Sequence, residues 1–353
     1  MSGTSLDGID VAHLETDGEA VVSRGPSQTY AYDSAQQALL RQALQDALTI
    51  TARTQRPGAL EEAEAKLTQW HATAVETFLQ QHGLSGSNVD VIGFHGQTVL
   101  HRPEVHLTVQ LGDGAALARM TGIPVVYDMR AADVAAGGQG APLVPIYHAA
   151  LAPMRPCAFV NIGGVGNVTF IDDDGTLLAF DTGPGNALLN DWMMKHQGLA
   201  FDNDGKACMS GKVSSPHLEA ALTHEYFKQK PPKSLDRNSF ASLNLNNLKF
   251  EDGAATLAAF TAQGIATAAT WFPETPKQWI ICGGGRHNAA IMQGLATLLP
   301  NVVAAEALGL NGDGIEAEAW AYLAVRSLKA LPLTFPGTTG VATPTTGGVL
   351  VRP

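Results

Sequence analysis

Apolar positions recur along this chain in two rhythms. From 34 to 48, Ala and Leu return at helical spacing behind Asp33 and Ser34, residues suited to a helix start. From 59 to 82, Leu67, Trp70, Ala74 and Phe78 share one face and Gly83 follows in a C-cap position, predicting a second amphipathic helix. Both read most simply as packing helices. Short apolar or alternating runs at 89–94, 106–111, 123–127 and 277–282 predict strands. A short helix is expected from Asp113 to Met120, and a longer one from the 311–316 turn through Lys329.

The stretch 177–192 organises the rest. Four apolar residues lead to Asp181, a Gly-Pro-Gly turn follows, and Asn186 stands where an N-cap would open a helix. A carboxylate at the C-terminal end of a strand, facing a glycine turn and a helix start, lies where α/β proteins bind ligands. An Asp that merely caps the turn is the simpler reading of Asp181 taken alone. Four other glycine-rich loops, each joined to apolar runs, argue for more.

Composition narrows what those loops can do. Of 353 residues, 45% are hydrophobic, 16% are charged and 37 are glycine, a globular and loop-rich profile long enough for two cores. The net charge of −11, with no basic cluster, argues against nucleic-acid or anionic-membrane partners. Cys157, Cys208 and Cys282 are too far apart for a metal site or a disulfide frame and suit a reducing compartment. No apolar run reaches membrane-spanning length and no basic-then-apolar leader opens the chain, so a soluble, cytoplasmic protein is expected.

The loops carry the candidate chemistry. The first holds Gly3, Thr4, Ser5, Leu6, Asp7, Gly8, Ile9 and Asp10, a turn whose N–H and O–H donors can face phosphate oxygens. Asp7 is placed to hold magnesium or its water, and an ordinary hairpin is the alternative. A hairpin needs a strand before its turn, and here the sequence starts almost at the turn. His95 and Gln97 stand at a candidate ligand edge, although a lone His is more often structural. Asp128, Arg130 and Asp133 precede a flexible loop with Gly138 and Gln139, which reads as a polar ligand pocket or equally as a surface salt bridge beside a linker. At 158–169 a strand turns at Gly163 and Gly164 and returns through Asn167 as a strand, which excludes a dinucleotide fingerprint. Gly205 to Lys212 lacks P-loop spacing, and the Asp202 to Gly205 run lacks that of a calcium loop. Gly283, Gly284 and Gly285 follow a strand and open a helix, leaving room for a flat group such as adenine. Glu316 sits in a first helical turn, where acidic residues are common for dipole reasons.

Together these motifs identify a resemblance. Met-Ser-Gly-Thr-Ser-Leu-Asp-Gly, His-Gly-Gln-Thr, Gly-Gly-Gln-Gly-Ala-Pro-Leu, Asn-Ile-Gly-Gly-Val-Gly-Asn, Asp-Thr-Gly-Pro-Gly-Asn and Cys-Gly-Gly-Gly occur in the order seen in anhydro-N-acetylmuramic acid kinases. The resemblance runs from Met1 to beyond Glu316. It implies an α/β fold of two ribonuclease-H-like, actin-like ATPase domains with ATP in the interdomain cleft. The first would span 1–126, joined by 338–353, with most of its first strand missing; the second would span 127–337.

The resemblance also implies roles. The turns at 3–10 and 163–167 would bind ATP phosphates, with Gly283 and Gly284 under the nucleoside. Asp181 would be the catalytic base and Glu316 a second carboxylate near the attacked carbon. Arg130, beside the loop of Gly138 and Gln139, would contact the sugar and its lactyl group, with His95, Gln97 and Asp128 also toward substrate. The implied reaction, part of peptidoglycan recycling, opens a 1,6-anhydro bridge with water and transfers the γ-phosphoryl group of ATP to O6, using Mg²⁺. A homodimer is what the family suggests. Two alternatives remain at this point: a kinase of a non-anhydro sugar, and a non-enzymatic nucleotide-driven binding protein.

Overall fold

The computed structural model describes residues 1–353 apart from residues 4, 236–238 and 241–242; the expectation at Thr4 therefore lies outside the described residues. The chain forms two compact units. Unit 1 is Met1–Leu151 with Gly314–Pro353, and unit 2 is Ala152–Asp313. The resemblance implies a boundary at 126/127 and a return at 338, whereas the units change over at 151/152 and 313/314. Packing explains the difference. Asp133 is buried against Thr339, the Tyr147 hydroxyl donates to Glu318 at 2.7 Å, and the helix Ile315–Leu328 lies on the first strands of unit 1.

In unit 1, strands β1 (Gly8–Thr16) and β2 (Val22–Ala31) form an antiparallel ribbon from Gly8 opposite Ala31 to Thr16 opposite Val22. Ahead of β1 the chain makes a two-residue stub. The Asp10 N–H donates to the Met1 carbonyl at 2.9 Å and Ser2 bridges antiparallel to Ile9, so residues 1–2 lie strand-like against the start of β1. Strand β3 (Ile92–Phe94) runs into His95, and β4 (Gln97–Arg102) pairs antiparallel with β5 (Leu107–Leu111). Strand β6 (Val125–Tyr127) lies parallel to β3 and antiparallel to the C-terminal strand, Val349–Val351.

Both expected packing helices form. Ser34–Asp46 starts with a capping box between Asp33 and Gln36, and Leu60–Gln81 buries Leu67, Ala74 and Phe78. Between β1 and β3 lies a mostly apolar slot of about 90 Å³, lined among others by Val11, Val75, Phe78, Ile92 and Phe94, and Met1 opens onto it.

Unit 2 is built on one five-stranded sheet. Strands β7 (Cys157–Ile162), β8 (Val165–Ile171) and β9 (Leu177–Pro184) form an antiparallel meander. Strands β10 (Gln278–Cys282) and β11 (Val302–Ala304) add parallel to β7, giving the order β11-β10-β7-β8-β9; the closing strand of unit 1, Val349–Val351, is β12. The Ala-rich helix Phe250–Ala268 packs on β8 and β9 and is buried along most of its length. Trp279, Phe159, Phe170 and Phe180 fill the sheet faces. Cys157, Cys208 and Cys282 are buried free thiols. Asp202 holds the start of Lys206–Ser210 by accepting from the Ala207 and Cys208 N–H groups.

Candidate active site

The tip of the β7–β8 hairpin is a three-residue connection, Gly163-Gly164-Val165, between Ile162 and Gly166, which stand opposite one another. Its carbonyls are laced to the turn after β9. Gly163 accepts from the Asn186 N–H at 2.7 Å, and Gly164 accepts from Gly185 at 3.0 Å and Ala187 at 3.1 Å. Asn186 occupies the N-cap position of Ala187–Gln197, but its backbone is already helical (φ −81°, ψ −16°) and its side chain caps nothing. An N-cap oxygen reaches the first N–H groups from extended backbone; here the carboxamide instead donates to the Ile162 carbonyl at 3.0 Å.

The third glycine loop closes on the same place. Gly283 has φ +72°, and a Cβ there would run into the Asn161 side chain. The helix expected to open at Gly283 begins later. A single tight turn, Gly284–His287, comes first, and Asn288 then caps Ala289–Leu298. Arg286, which the sequence reading passed over, fixes this loop. It is buried, pairs with both oxygens of Asp313 at 2.7 Å, and also bonds Glu306 at 2.8 Å and the Gly283 carbonyl at 2.9 Å.

Asp181 lies inside β9 rather than at its end, because pairing continues through Gly183 and Pro184 against Gly166 and Val165. Register puts it directly opposite Asn167, so the candidate base and the phosphate hairpin are strand neighbours within unit 2. Its backbone N–H donates to the Lys233 carbonyl at 3.1 Å, and its carbonyl accepts the Tyr226 hydroxyl at 2.6 Å. One carboxylate oxygen accepts the Leu235 N–H at 2.7 Å. Burial pushes the carboxyl up to about 7, and the Leu235 bond pulls the other way.

In unit 1 the candidate substrate residues surround Arg130. One guanidinium nitrogen donates to the Gly140 carbonyl at 2.9 Å, another to His95 Nε2 at 3.1 Å, and the plane lies 5.3 Å from the Trp320 ring centre. Its buried Nε has no hydrogen-bond partner among the described residues. Burial lowers Arg130 to about 10, opposed by the charges of Glu316 and Asp133. Glu316 and Trp320 are one turn apart on the helix Ile315–Leu328, which puts both on the face toward the guanidinium.

His95 Nδ1 faces two acceptors, the carbonyls of Ser2 at 2.9 Å and Gly96 at 2.7 Å, so the proton sits on Nδ1 and Nε2 accepts from Arg130. Burial first, then Arg130 and the chain's amino terminus, hold this ring neutral, well below the usual histidine range. Gln97 accepts the Ser2 hydroxyl at 2.6 Å, and Ser2 in turn accepts from Tyr32 at 2.9 Å. His95 and Gln97 thus tie the first turn and Arg130 together from within the fold. Asp128, at φ +56°, pairs with Arg53 at 2.5 Å. The loop holding Gly138 and Gln139 is fastened by Asp133, which accepts from Gly140 N–H at 2.6 Å and Thr339 Oγ1 at 2.7 Å, and by the Gln139 N–H on the Thr339 carbonyl at 2.7 Å.

At the first turn, Leu6 is buried at φ +55°, Asp10 accepts the Thr29 hydroxyl, and exposed Asp7 accepts the Ser5 hydroxyl at 2.7 Å. Gly3, Gly8 and Ile9 complete it, with Ile9 and Gly8 buried. Among the described residues no three His, Cys, Asp or Glu side chains gather as a metal cage.

The strand order of unit 2, with only β8 antiparallel to the rest, is the ribonuclease-H-like arrangement. A glycine hairpin joining its first two strands beside a buried carboxylate belongs to the class of actin-like ATPases and sugar kinases. Residues 1–353 match the family model for anhydro-N-acetylmuramic acid kinase. The whole chain is 53% identical to the anhydro-N-acetylmuramic acid kinase of Rhodopseudomonas palustris, covering 98% of that protein. It is 51% identical to that of Agrobacterium fabrum, covering 97%. The chain belongs to the anhydro-N-acetylmuramic acid kinase family. A kinase of this family binds a sugar substrate and ATP and works in cell-wall recycling.

Solved structures resembling the chain include the activator of the 2-hydroxyisocaproyl-CoA dehydratase from Clostridium difficile with bound ADPNP, at 12% identity and TM-score 0.42, covering 91% of this chain and 97% of that one. A ROK family glucokinase from Streptomyces griseus in complex with glucose and AMPPNP matches at 14% identity and TM-score 0.37, covering 91% and 96%.

Proposed function

We propose that this protein opens 1,6-anhydro-N-acetylmuramic acid with water and transfers the γ-phosphoryl group of ATP to O6, giving N-acetylmuramate 6-phosphate. Asp181 carries the reading. A general base works best with a pKa near the working pH, and burial brings this carboxyl to about 7 beside the Gly163-Gly164 hairpin. It would take a proton from the water that attacks C1. An inverting glycosidase needs a second group to protonate the leaving oxygen. Here O6 leaves toward phosphorus, so one base suffices for ring opening.

Arg130 suits the lactyl carboxylate, since it keeps a buried N–H without a partner among the described residues. Glu316, whose charge bears on Arg130, would lie toward the attacked carbon. The turns at 3–10 and 163–167 would hold the ATP phosphates, and Gly283 and Gly284 the nucleoside. Magnesium usually keeps several waters and takes phosphate oxygens, so it asks only one or two carboxylates of a protein. Exposed Asp7, with Ser5 on one oxygen, fits that demand and would let the ion neutralise phosphate charge.

We place the enzyme in the cytoplasm, as a homodimer acting without nucleic-acid or membrane partners. The acidic balance, with no basic cluster, argues against nucleic-acid and anionic-membrane partners; no helix among the described residues is long and apolar enough to cross a membrane. The test is mass spectrometry of products made in ¹⁸O-water from ATP and the anhydro sugar. Label on C1 with phosphate on O6 is expected. Equal phosphorylation of a non-anhydro sugar without label would replace ring opening by simple hydroxyl transfer.

A further inference from the structure

We propose that Lys233 is a positioning residue for Asp181: its ammonium, seated among aromatic rings, pins the strap 231–235, whose Leu235 N–H holds the carboxylate. This rests on the reading of Asp181 as the base.

The strap begins Pro231-Pro232 and belongs to no helix or strand. Two prolines bring no backbone donors, so other ties must fix it. Lys233 Nζ lies 4.5 Å from the Tyr226 ring centre, 5.5 Å from Trp271 and 5.7 Å from Phe180, and donates to the Tyr226 carbonyl at 2.9 Å. Three rings around one ammonium form a cation–π seat. Burial lowers Lys233 to about 8, so it keeps its charge at neutral pH. From this anchor the Lys233 carbonyl accepts the Asp181 backbone N–H, and two residues on, Leu235 delivers its own N–H to the Asp181 side chain.

Tyr226 links both ends of the device. Its ring seats the ammonium, and its hydroxyl bonds the Asp181 carbonyl. Leu235 also packs partly against the cluster of Phe227, Phe240 and Phe260. The titratable residues bonded to Asp181 are Tyr226, through the Asp181 carbonyl, and Lys233, whose carbonyl takes the Asp181 N–H, and β8 presents neutral Asn167 opposite it. The Leu235 N–H favours the ionised carboxylate. Releasing the strap therefore raises the Asp181 pKa and depletes the base form at neutral pH.

The experiment compares Lys233→Met, Lys233→Arg and Leu235→Pro, the last removing the N–H without touching the ammonium, with Asp181→Asn in parallel. Folding is checked by circular dichroism, and kcat and kcat/KM are followed from pH 5 to 9. The expected result for the Met and Pro variants is an acid limb moved up by about half a unit to one unit, since about 1.4 kcal/mol of lost carboxylate stabilisation is one unit. At pH 7, kcat falls about two- to fivefold, following the ionised fraction of a base near 7, while KM for ATP holds, and Lys233→Arg restores most of it. Folded Met and Pro variants with an unmoved acid limb would overturn the positioning role, even with lowered thermal stability. An Asp181→Asn variant with wild-type turnover would instead overturn the base on which the role depends.

Discussion

Burial shifts Asp181 and Arg130 in opposite directions, and only one of them crosses neutral pH. Raised to about 7, Asp181 is divided between its two forms, whereas Arg130, lowered to about 10, stays charged. Turnover should therefore climb with pH through about 7 and fall about tenfold per unit below it, which a pH–rate profile reads. Stability follows the same group with the reverse preference. Because the folded pKa lies above the unfolded value of 3.8, the folded state retains a proton that the unfolded state releases, and this contribution is lost as pH rises from about 4 to 7. Asp181→Asn should accordingly leave melting at pH 8 unchanged or higher while turnover drops by about 10² to 10⁴. Arg130→Met should raise KM for the sugar about 10- to 100-fold with ATP binding retained, in line with loss of a charge-assisted bond. Asp181 and Arg130 were legible from their glycine-rich neighbours. What His95 and Gln97 bond was not, because their partner Ser2 lies more than ninety residues away in the chain. Lys233 was invisible for the same reason: it meets Asp181 only after the fold brings the strap to β9.

Among elements, the helices near 34–46, 60–81, 114–121 and 315–328 were read from the sequence, whereas the Ala-rich helix Phe250–Ala268 was not, because it is buried on most sides and shows no polar face to mark its period. Strand β4 escaped because Gln97 and Thr98 interrupt its apolar pattern and its support comes from β5. Strand β9 outruns its apolar stretch because hydrogen bonding to β8 carries Gly183 and Pro184 along. The slot between β1 and β3 yields a prediction. The Met1 ammonium is buried there and lowered to about 6 by desolvation, an awkward place for a charge. Adding five alternating Val and Ile residues ahead of Met1 moves that charge away and lets an extended segment pair along β1. Melting temperature should rise, and an extension of alternating Asp and Lys should not raise it; equal melting of the two would refute the slot as a strand acceptor. Asp133 supports a second element, the loop 137–140. Asp133→Ala leaves the Thr339 hydroxyl and Gly140 N–H without their buried partner and should cost about 1–3 kcal/mol in urea unfolding.

For the whole molecule, ATP is the natural probe. A ligand at 100 times its Kd that binds only the folded state adds about 2.7 kcal/mol, so saturating ATP should raise the melting temperature by a few degrees. A shift with ATP but none with the sugar alone would bear on the order of binding. Unit 2 is one uninterrupted stretch, Ala152–Asp313, whereas unit 1 is completed by Gly314–Pro353. The ribosome, adding roughly 5–20 residues per second, therefore releases all of unit 2 before the helix that covers β1 and β3 exists. Until then the early part of unit 1 waits with an apolar face uncovered, and Arg130 waits without Trp320 beneath it. Synthesis of this protein thus has a built-in interval of exposure. A premature stop late in the gene should be punished by aggregation far out of proportion to the few residues it removes.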